Sequence, residues 1–178
     1  MIESDRLILR GWEERDYAPF AAINADPEVM THLDGPMDRA KSDAMIERIR
    51  AQHAEQGHCL WAVERKADGA LLGFCGLRRG GHEGSPVDDV LEIGWRLARA
   101  AWGQGYAREA AQASLDWAWQ NLDDARIVAW TVPANTRSWG LMLRLGMEHR
   151  PELDFEHPGF PPDHPLRQHV VYVIDRPG

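Results

Sequence analysis

The stretch from Leu91 to Ala110 constrains this chain more than any other. Leu91-Glu92-Ile93-Gly94-Trp95-Arg96-Leu97 alternates in the manner of a strand. Arg99-Ala100-Ala101-Trp102-Gly103-Gln104-Gly105-Tyr106-Ala107-Arg108-Glu109-Ala110 then turns through two glycines into an alanine-rich helix. A helix start carries backbone N–H groups without intrahelical acceptors, and its dipole adds positive potential, so an anion is welcome there. Gly103 and Gly105 can adopt conformations closed to other residues and let an oxygen-rich ligand approach the main chain. Arg99, Arg108 and Arg137 supply local positive charge. The segment is neither a dinucleotide fingerprint, because Arg108 stands at the third glycine position, nor a Walker loop, because no Gly-Lys-Ser/Thr follows. A purely structural turn remains an open reading of Gly-x-Gly by itself.

The rest of the chain alternates strand and helix patterns without repeats. Strands are expected at Arg6–Arg10, Cys59–Arg65, Ala70–Leu77, Val90–Leu97, Arg126–Thr131, Met147–Phe155 and Arg167–Ile174. Helices are expected at Tyr17–Ala25 with Asp16 as N-cap, Asp38–Gln56 closed by Gly57, Tyr106–Asn121 and Thr136–Leu145. Asp68-Gly69 signals a hairpin, and Arg79–Pro86 and His157–Pro165 read as loops. This order predicts an α/β (α+β) fold: a single domain, residues 1–178, with a mixed, mostly antiparallel central sheet flanked by helices.

Charge narrows the partners. Twenty Lys and Arg against 28 Asp and Glu give a net charge of −8, which argues against gripping nucleic acid through its phosphates and leaves room for a cationic partner such as an amine. No run approaches the roughly 20 apolar residues of a membrane span, and no leader pattern opens the chain, so a cytoplasmic protein is expected. Cys59 and Cys75 lie in apolar runs and read as reduced, buried thiols. His157, His164 and His169 match no tight zinc spacing, so no metal is expected. The Pro/His-rich loop, with Asp154, Glu156 and Asp163, is a candidate wall for an amine or a contact between subunits, and aromatic residues in the tail make a homodimer plausible. Trp12 and Trp139 are candidates for pocket walls or for packing.

Glu92-Ile93-Gly94-Trp95 followed by Trp102-Gly103-Gln104-Gly105-Tyr106-Ala107-Arg108-Glu109-Ala110 resembles the acetyl-CoA motif of the GNAT superfamily of N-acetyltransferases. The nearest resemblance is to the RimJ/RimL-like branch, which modifies protein N-termini and other amines. Ala134-Asn135-Thr136-Arg137-Ser138, then Leu145-Gly146-Met147, is similar to that branch's Asn-x-x-Ser ending in Leu-Gly-Phe. Asp5-Arg6-Leu7-Ile8-Leu9-Arg10 fits its first strand. The likeness covers nearly the whole chain, with one departure: Ala100 stands where the family often has Gln or Arg, which leaves the grip to backbone amides.

The resemblance implies acetyl-CoA as acyl donor, lying where Val90–Leu97 and Arg126–Thr131 splay apart. It implies cofactor contacts from Ile93, Gly94 and Trp95, from Trp102, Gly103, Gln104, Gly105, Tyr106, Ala107 and Arg108, and from Asn135 and Ser138. Gly94 would mark a bulge that frees the Trp95 N–H for the thioester oxygen, although it also fits a glycine relieving crowding in a sheet. Glu92 is the candidate general base, acting through water; alternating with Leu91 and Ile93, it equally fits a solvated carboxylate on the strand's polar face. Ser138 is the candidate group near the sulfur or a helix-end serine, and Trp139–Arg144 contains no tyrosine to serve as acid. The implied reaction is direct transfer of acetyl to a primary amine, either a protein N-terminus or a small molecule such as an amino sugar, polyamine or antibiotic. The rival reading is a catalytically silent acyl-CoA-binding sensor.

Overall fold

In the computed structural model, which describes residues 1–178, the chain forms one curved mixed sheet with helices on both faces. The strands are β1 (Ile2–Glu3), β2 (Leu7–Arg10), β3 (Leu60–Arg65), β4 (Ala70–Gly80), β5 (Val90–Leu97), β6 (Arg126–Thr131), β7 (Glu148–His149), β8 (Phe155–Glu156) and β9 (Gln168–Asp175). The helices are α1 (Tyr17–Ala25), α2 (Arg39–Gln56), α3 (Tyr106–Asn121) and α4 (Thr136–Arg144). Spatial order is β1-β2-β3-β4-β5-β6-β9-β7, and β8 also pairs with β9. β5 and β6 are the parallel neighbours; the other pairings are antiparallel.

Successive residues of a strand face opposite sides of its sheet, and β4 shows which helix owns which side. The Phe74 ring lies 6.0 Å from Phe20 of α1, whereas Cys75 Sγ lies 3.9 Å from Ser114 Oγ of α3. β5 follows the same division through its register with β4, Phe74 opposite Arg96 and Arg78 opposite Glu92. Glu92, Gly94 and Arg96 therefore share the α1 face, while Leu91 and Ile93 belong to the core that α3 closes with Ala110, Ala111, Leu115 and Ala118.

Most element boundaries follow local sequence. Asp38 caps α2 by accepting from Lys41 N at 2.8 Å, and Gly57 ends it in the left-handed region at φ 74°. Two expectations, for Asp16 and for Met147–Phe155, need correction, and two open readings, for Trp12 and Gly94, are decided. Asp16 does not cap α1: its buried carboxylate turns to Arg10 (2.7 and 2.9 Å) and to the Glu13 N–H (2.8 Å), because a two-pronged charged bond outweighs a cap bond. Trp12 is core and not a pocket wall, 6% exposed, with Nε1 donating to Leu60 O and its ring 4.7 Å from Phe20. The strand expected over Met147–Phe155 is broken by a 3₁₀ turn at Pro151–Leu153, since proline has no N–H for a ladder. Finally, the β4–β5 register runs without a shift from Gly73–Leu97 to Gly80–Val90, so Gly94 marks no bulge.

Candidate active site

The turn into α3 leaves a run of main-chain donors free. Gly103 and Gly105 sit at φ 74° and 83°, left-handed conformations that a side chain would strain. Gly105 stands at the N-cap and makes no side-chain cap bond, and the first ladder bond runs from Glu109 N to Gly105 O. The six amides from Gly103 through Arg108 consequently find no acceptor in the chain. Long-range contacts brace this turn. Arg6 donates through Nη1 to Gln104 O at 3.0 Å, stacks 4.5 Å over the Tyr106 ring and holds Glu109 through Nε at 2.7 Å. Gln104 Nε2 bonds Ala100 O at 2.7 Å. Trp102 lies between the guanidinium groups of Arg99 (5.0 Å) and Arg137 (4.9 Å), which brings the start of α4 beside the turn.

The strand that feeds this turn parts from its neighbour. Opposed residues in an antiparallel ladder alternate between pairs that exchange main-chain bonds and pairs that do not. Ala98 N donates to Leu72 O at 2.7 Å in continuation of the β4–β5 register, so Arg96, Gly94 and Glu92 spend their amides on β4. Ile93 and Trp95 turn theirs toward β6. β6 meets β5 only at Glu92–Val128. Past that pair the strands splay, and the Trp95 N–H faces an open seam with no β6 partner.

On the α1 face, Glu92 is not the solvated carboxylate that alternation allowed. It is 7% exposed, and its Oε2 accepts from Arg78 Nε at 2.5 Å. Oε1 has no protein donor and points along the strand, 3.9 Å from where a Cβ on Gly94 would stand. Burial raises the Glu92 carboxyl above its ordinary value, and Arg78 offsets that only in part. The Arg78 guanidinium in turn lies 5.8 Å from the Trp130 ring of β6, so the pair spans the seam's floor.

The chain with this strand-turn-helix segment beside a splayed parallel pair has relatives in sequence and in fold. The Acetyltransferase (GNAT) domain model matches residues 6–148. The chain belongs to the GNAT acetyltransferase family. It is 34% identical over 147 residues to the uncharacterized protein YkkB of Bacillus subtilis, covering 82% of this chain and 84% of that one. The crystal structure of an acetyltransferase from Agrobacterium tumefaciens superposes with a TM-score of 0.77 at 26% identity, covering 97% and 92% of the two chains. Spermidine N-acetyltransferase from Vibrio cholerae, solved with CoA and spermine, shares the fold at a TM-score of 0.75 and 17% identity, covering 97% of each chain.

Within this acetyltransferase the second motif lies at the far lip of the seam. Asn135 occupies the N-cap of α4 without capping it; its Nδ2 donates to Thr131 Oγ1 at 3.0 Å. Ser138, half-buried in the first turn, bonds no backbone amide through its hydroxyl, so the helix-end role does not hold. Trp139 Nε1 is spent on Pro133 O at 3.0 Å. Both thiols are buried in the core and pushed up to about 12, which suits packing and not nucleophilic attack. Sequence reasoning missed Arg6, Arg78 and Arg96. Their partners lie between 14 and 103 positions away, and only the α1-face alternation of β5 could have flagged Arg96.

The Pro/His-rich segment folds against the same end of the sheet. His157 lies 4.0 Å from His82 and 5.4 Å from His169, whose ring stacks 5.3 Å over Phe155. Burial holds all three imidazoles below their usual value; at His82 and His169 mutual repulsion adds to this, with Arg78 also acting on His82. A histidine with a depressed folded value binds fewer protons folded than unfolded, so its contribution to stability falls as pH drops below about 6.5. Hydrogen exchange of residues 157–169, corrected for intrinsic rate, should rise severalfold between pH 7.5 and pH 5.5. Equal protection at the two pH values would refute this coupling.

Proposed function

We propose that the chain transfers acetyl from acetyl-CoA to a primary amine by direct attack, without a covalent enzyme intermediate. The run of acceptor-free amides from Gly103 through Arg108 at the mouth of the splayed β5–β6 seam carries this reading. Those amides hold the diphosphate, with Trp102 and the Arg99 and Arg137 cations beside it. Asn135 bonds the pantetheine arm, and the Ile93–Gly94–Trp95 edge, buried at Ile93 and half-buried at Gly94 and Trp95, lines its path. The Trp95 N–H serves the thioester oxygen as charge develops there, a donor fixed by the sheet before the reaction begins.

Glu92 receives a proton from the attacking amine through a water at its free Oε1. Its raised carboxyl value brings it closer to working pH, which strengthens it as a base. As the nitrogen–carbon bond forms and the carbon–sulfur bond breaks, Ser138 or a water it orients supplies the proton that the departing sulfur needs. An α-amine, with an ordinary value near 7.7–8.0, is partly neutral at pH 7.5, whereas a lysine near 10.4 needs further help. The acceptor is accordingly an α-amine at a protein N-terminus or on a small molecule.

Calorimetric titration with CoA tests the cradle, and a mass-spectrometric screen of N-terminal peptides and free amines tests the transfer. No heat with CoA would overturn the reading. CoA binding without transfer to any amine would assign the chain to the silent acyl-CoA-binding class. Gly105→Val forces a branched side chain into a left-handed site, at a cost of about 1–2 kcal/mol. The turn relieves that strain by leaving its left-handed shape, so the CoA Kd should rise roughly 5- to 30-fold, and whatever strain it keeps lowers the thermal midpoint, because exposure does not relieve a backbone clash. An unchanged Kd would remove the turn from the binding site.

A further inference from the structure

Arg96 is a cation without a counter-ion on the face where the acceptor would approach. Its Nη1 donates to Asn24 Oδ1 at 2.6 Å and lies 3.8 Å from Met45 Sδ, while its guanidinium carbon sits 5.3 Å from the centre of the Phe74 ring. Its Nε is sealed from solvent and has no acceptor. No carboxylate forms an ion pair with it, and the charged group that acts on it is a second cation, Arg78. Asn24 is itself fully buried and fixed by its Nδ2 bond to Ser42 Oγ at 2.9 Å. The half-buried guanidinium is thus held in place by neutral groups, with Nε sealed and Nη2 bonding nothing in the chain. Burial, with Arg78 nearby, pushes it down to about 10, because desolvation disfavours the charged form. An unpaired cation in such a setting costs stability that a hydrophobic residue of similar size would not. An anion arriving with the substrate removes that cost.

We infer that Arg96 binds a carboxylate carried by the amine acceptor itself. Within the acetyltransferase reading, on which this rests, the inference names the substrate class: amines bearing a carboxylate a few bonds from the amino group. Arg96 lies two strand residues beyond Gly94 on one face, roughly 7 Å along β5, and Glu92 lies two residues before Gly94. An amine delivered near Gly94 can reach Glu92 through water on one side and set its carboxylate against Arg96 Nη2 on the other. Arg78 is already paired with Glu92, so Arg96 is the cation left free on this face. Nη2, which bonds nothing in the chain, is the donor open to that carboxylate, since Nε is sealed and Nη1 is held by Asn24.

The test compares matched acceptors: L-amino acids against their carboxamides, and peptides with Asp or Asn as second residue. The wild-type protein should acetylate the carboxylate-bearing member of a pair with kcat/KM about 10- to 100-fold higher, the worth of one or two charged hydrogen bonds. Arg96→Met should bring that ratio to about one, chiefly through KM for the acid, with CoA Kd unchanged. Arg96→Lys, which keeps the charge and loses the Nη2 donor, should give an intermediate ratio and serves if the methionine variant does not fold. A preference confined to free amino acids identifies a small-molecule acceptor; one confined to the Asp peptides identifies an acidic N-terminus. Equal use of acid and amide, or an equal loss on both in the variants, overturns the role of Arg96 and leaves the acetyltransferase reading intact. Transfer to no amine overturns both.

Discussion

Glu92→Gln should lower kcat by about 10²- to 10⁴-fold, the usual worth of a positioned general base, while CoA Kd stays within threefold. Glutamine keeps the shape and the contact with Arg78 but cannot take a proton. The fold should survive, because the Arg78 side chain is 42% exposed and can be rehydrated. The pH profile gives a second, independent readout. Burial raises the Glu92 carboxyl and Arg78 pulls it back down, so wild-type kcat/KM should climb as pH rises through that elevated value. It should climb again as the amine loses its proton. The first rise should vanish in Glu92→Gln and move to higher pH in Arg78→Met, where the opposing cation is gone. Turnover unaffected by Glu92→Gln would remove this carboxylate from the mechanism.

Asp16→Ala should cost about 3–5 kcal/mol of folding stability, read as a lower midpoint in urea. Asp16 is 1% exposed and takes both prongs of Arg10, whose Nε is shared with Glu64 at 2.8 Å. Removing it leaves a buried guanidinium short of charge and the Glu13 N–H without its acceptor, the situation in which breaking a buried pair is most damaging. A loss of that size is a large fraction of the 5–15 kcal/mol that holds a typical domain together. Acid should weaken the same contact. Burial alone would raise the Asp16 carboxyl, but the bonds from Arg10 and the Glu13 amide outweigh it and the net value is lowered. The stabilisation is therefore complete above about pH 4 and fades as pH falls through the depressed folded value. A loss under about 1 kcal/mol in Asp16→Ala would show the pair to be no stronger than an exposed one.

The two variants probe opposite uses of the same physics. At Asp16 charge is buried and satisfied on all sides, and it ties β2 to the turn before α1. At Glu92 charge is buried and satisfied on one side only, with Oε1 left free toward Gly94. Arg96 goes further still, with a sealed donor and no carboxylate. Incomplete satisfaction sets Glu92 and Arg96 apart on the α1 face; the other buried group left without partners is the His58 imidazole, stacked beside Trp117 of α3.

The sequence alone determined the features whose cause lies within a few neighbouring residues. Two glycines between a strand pattern and a helix pattern specify a left-handed turn with free amides at Gly103–Arg108, and Asp38 and Gly57 bound α2 as their chemistry requires. The order of strands and helices and the sheet's mixed character followed from periodicity and from the family resemblance. Tertiary structure decided everything that depends on which distant groups share a surface. Nothing local to Glu92 says that it will be buried against Arg78, or that Asp16 will prefer Arg10 to the helix it precedes. Nor could spacing show that Arg6 would brace a turn 98 residues away, or that β5 and β6 would touch only at Glu92–Val128 and then part. Dihedral preferences and hydrogen-bond supply are set along the chain, whereas desolvation and charge pairing exist only once the sheet has brought its strands side by side.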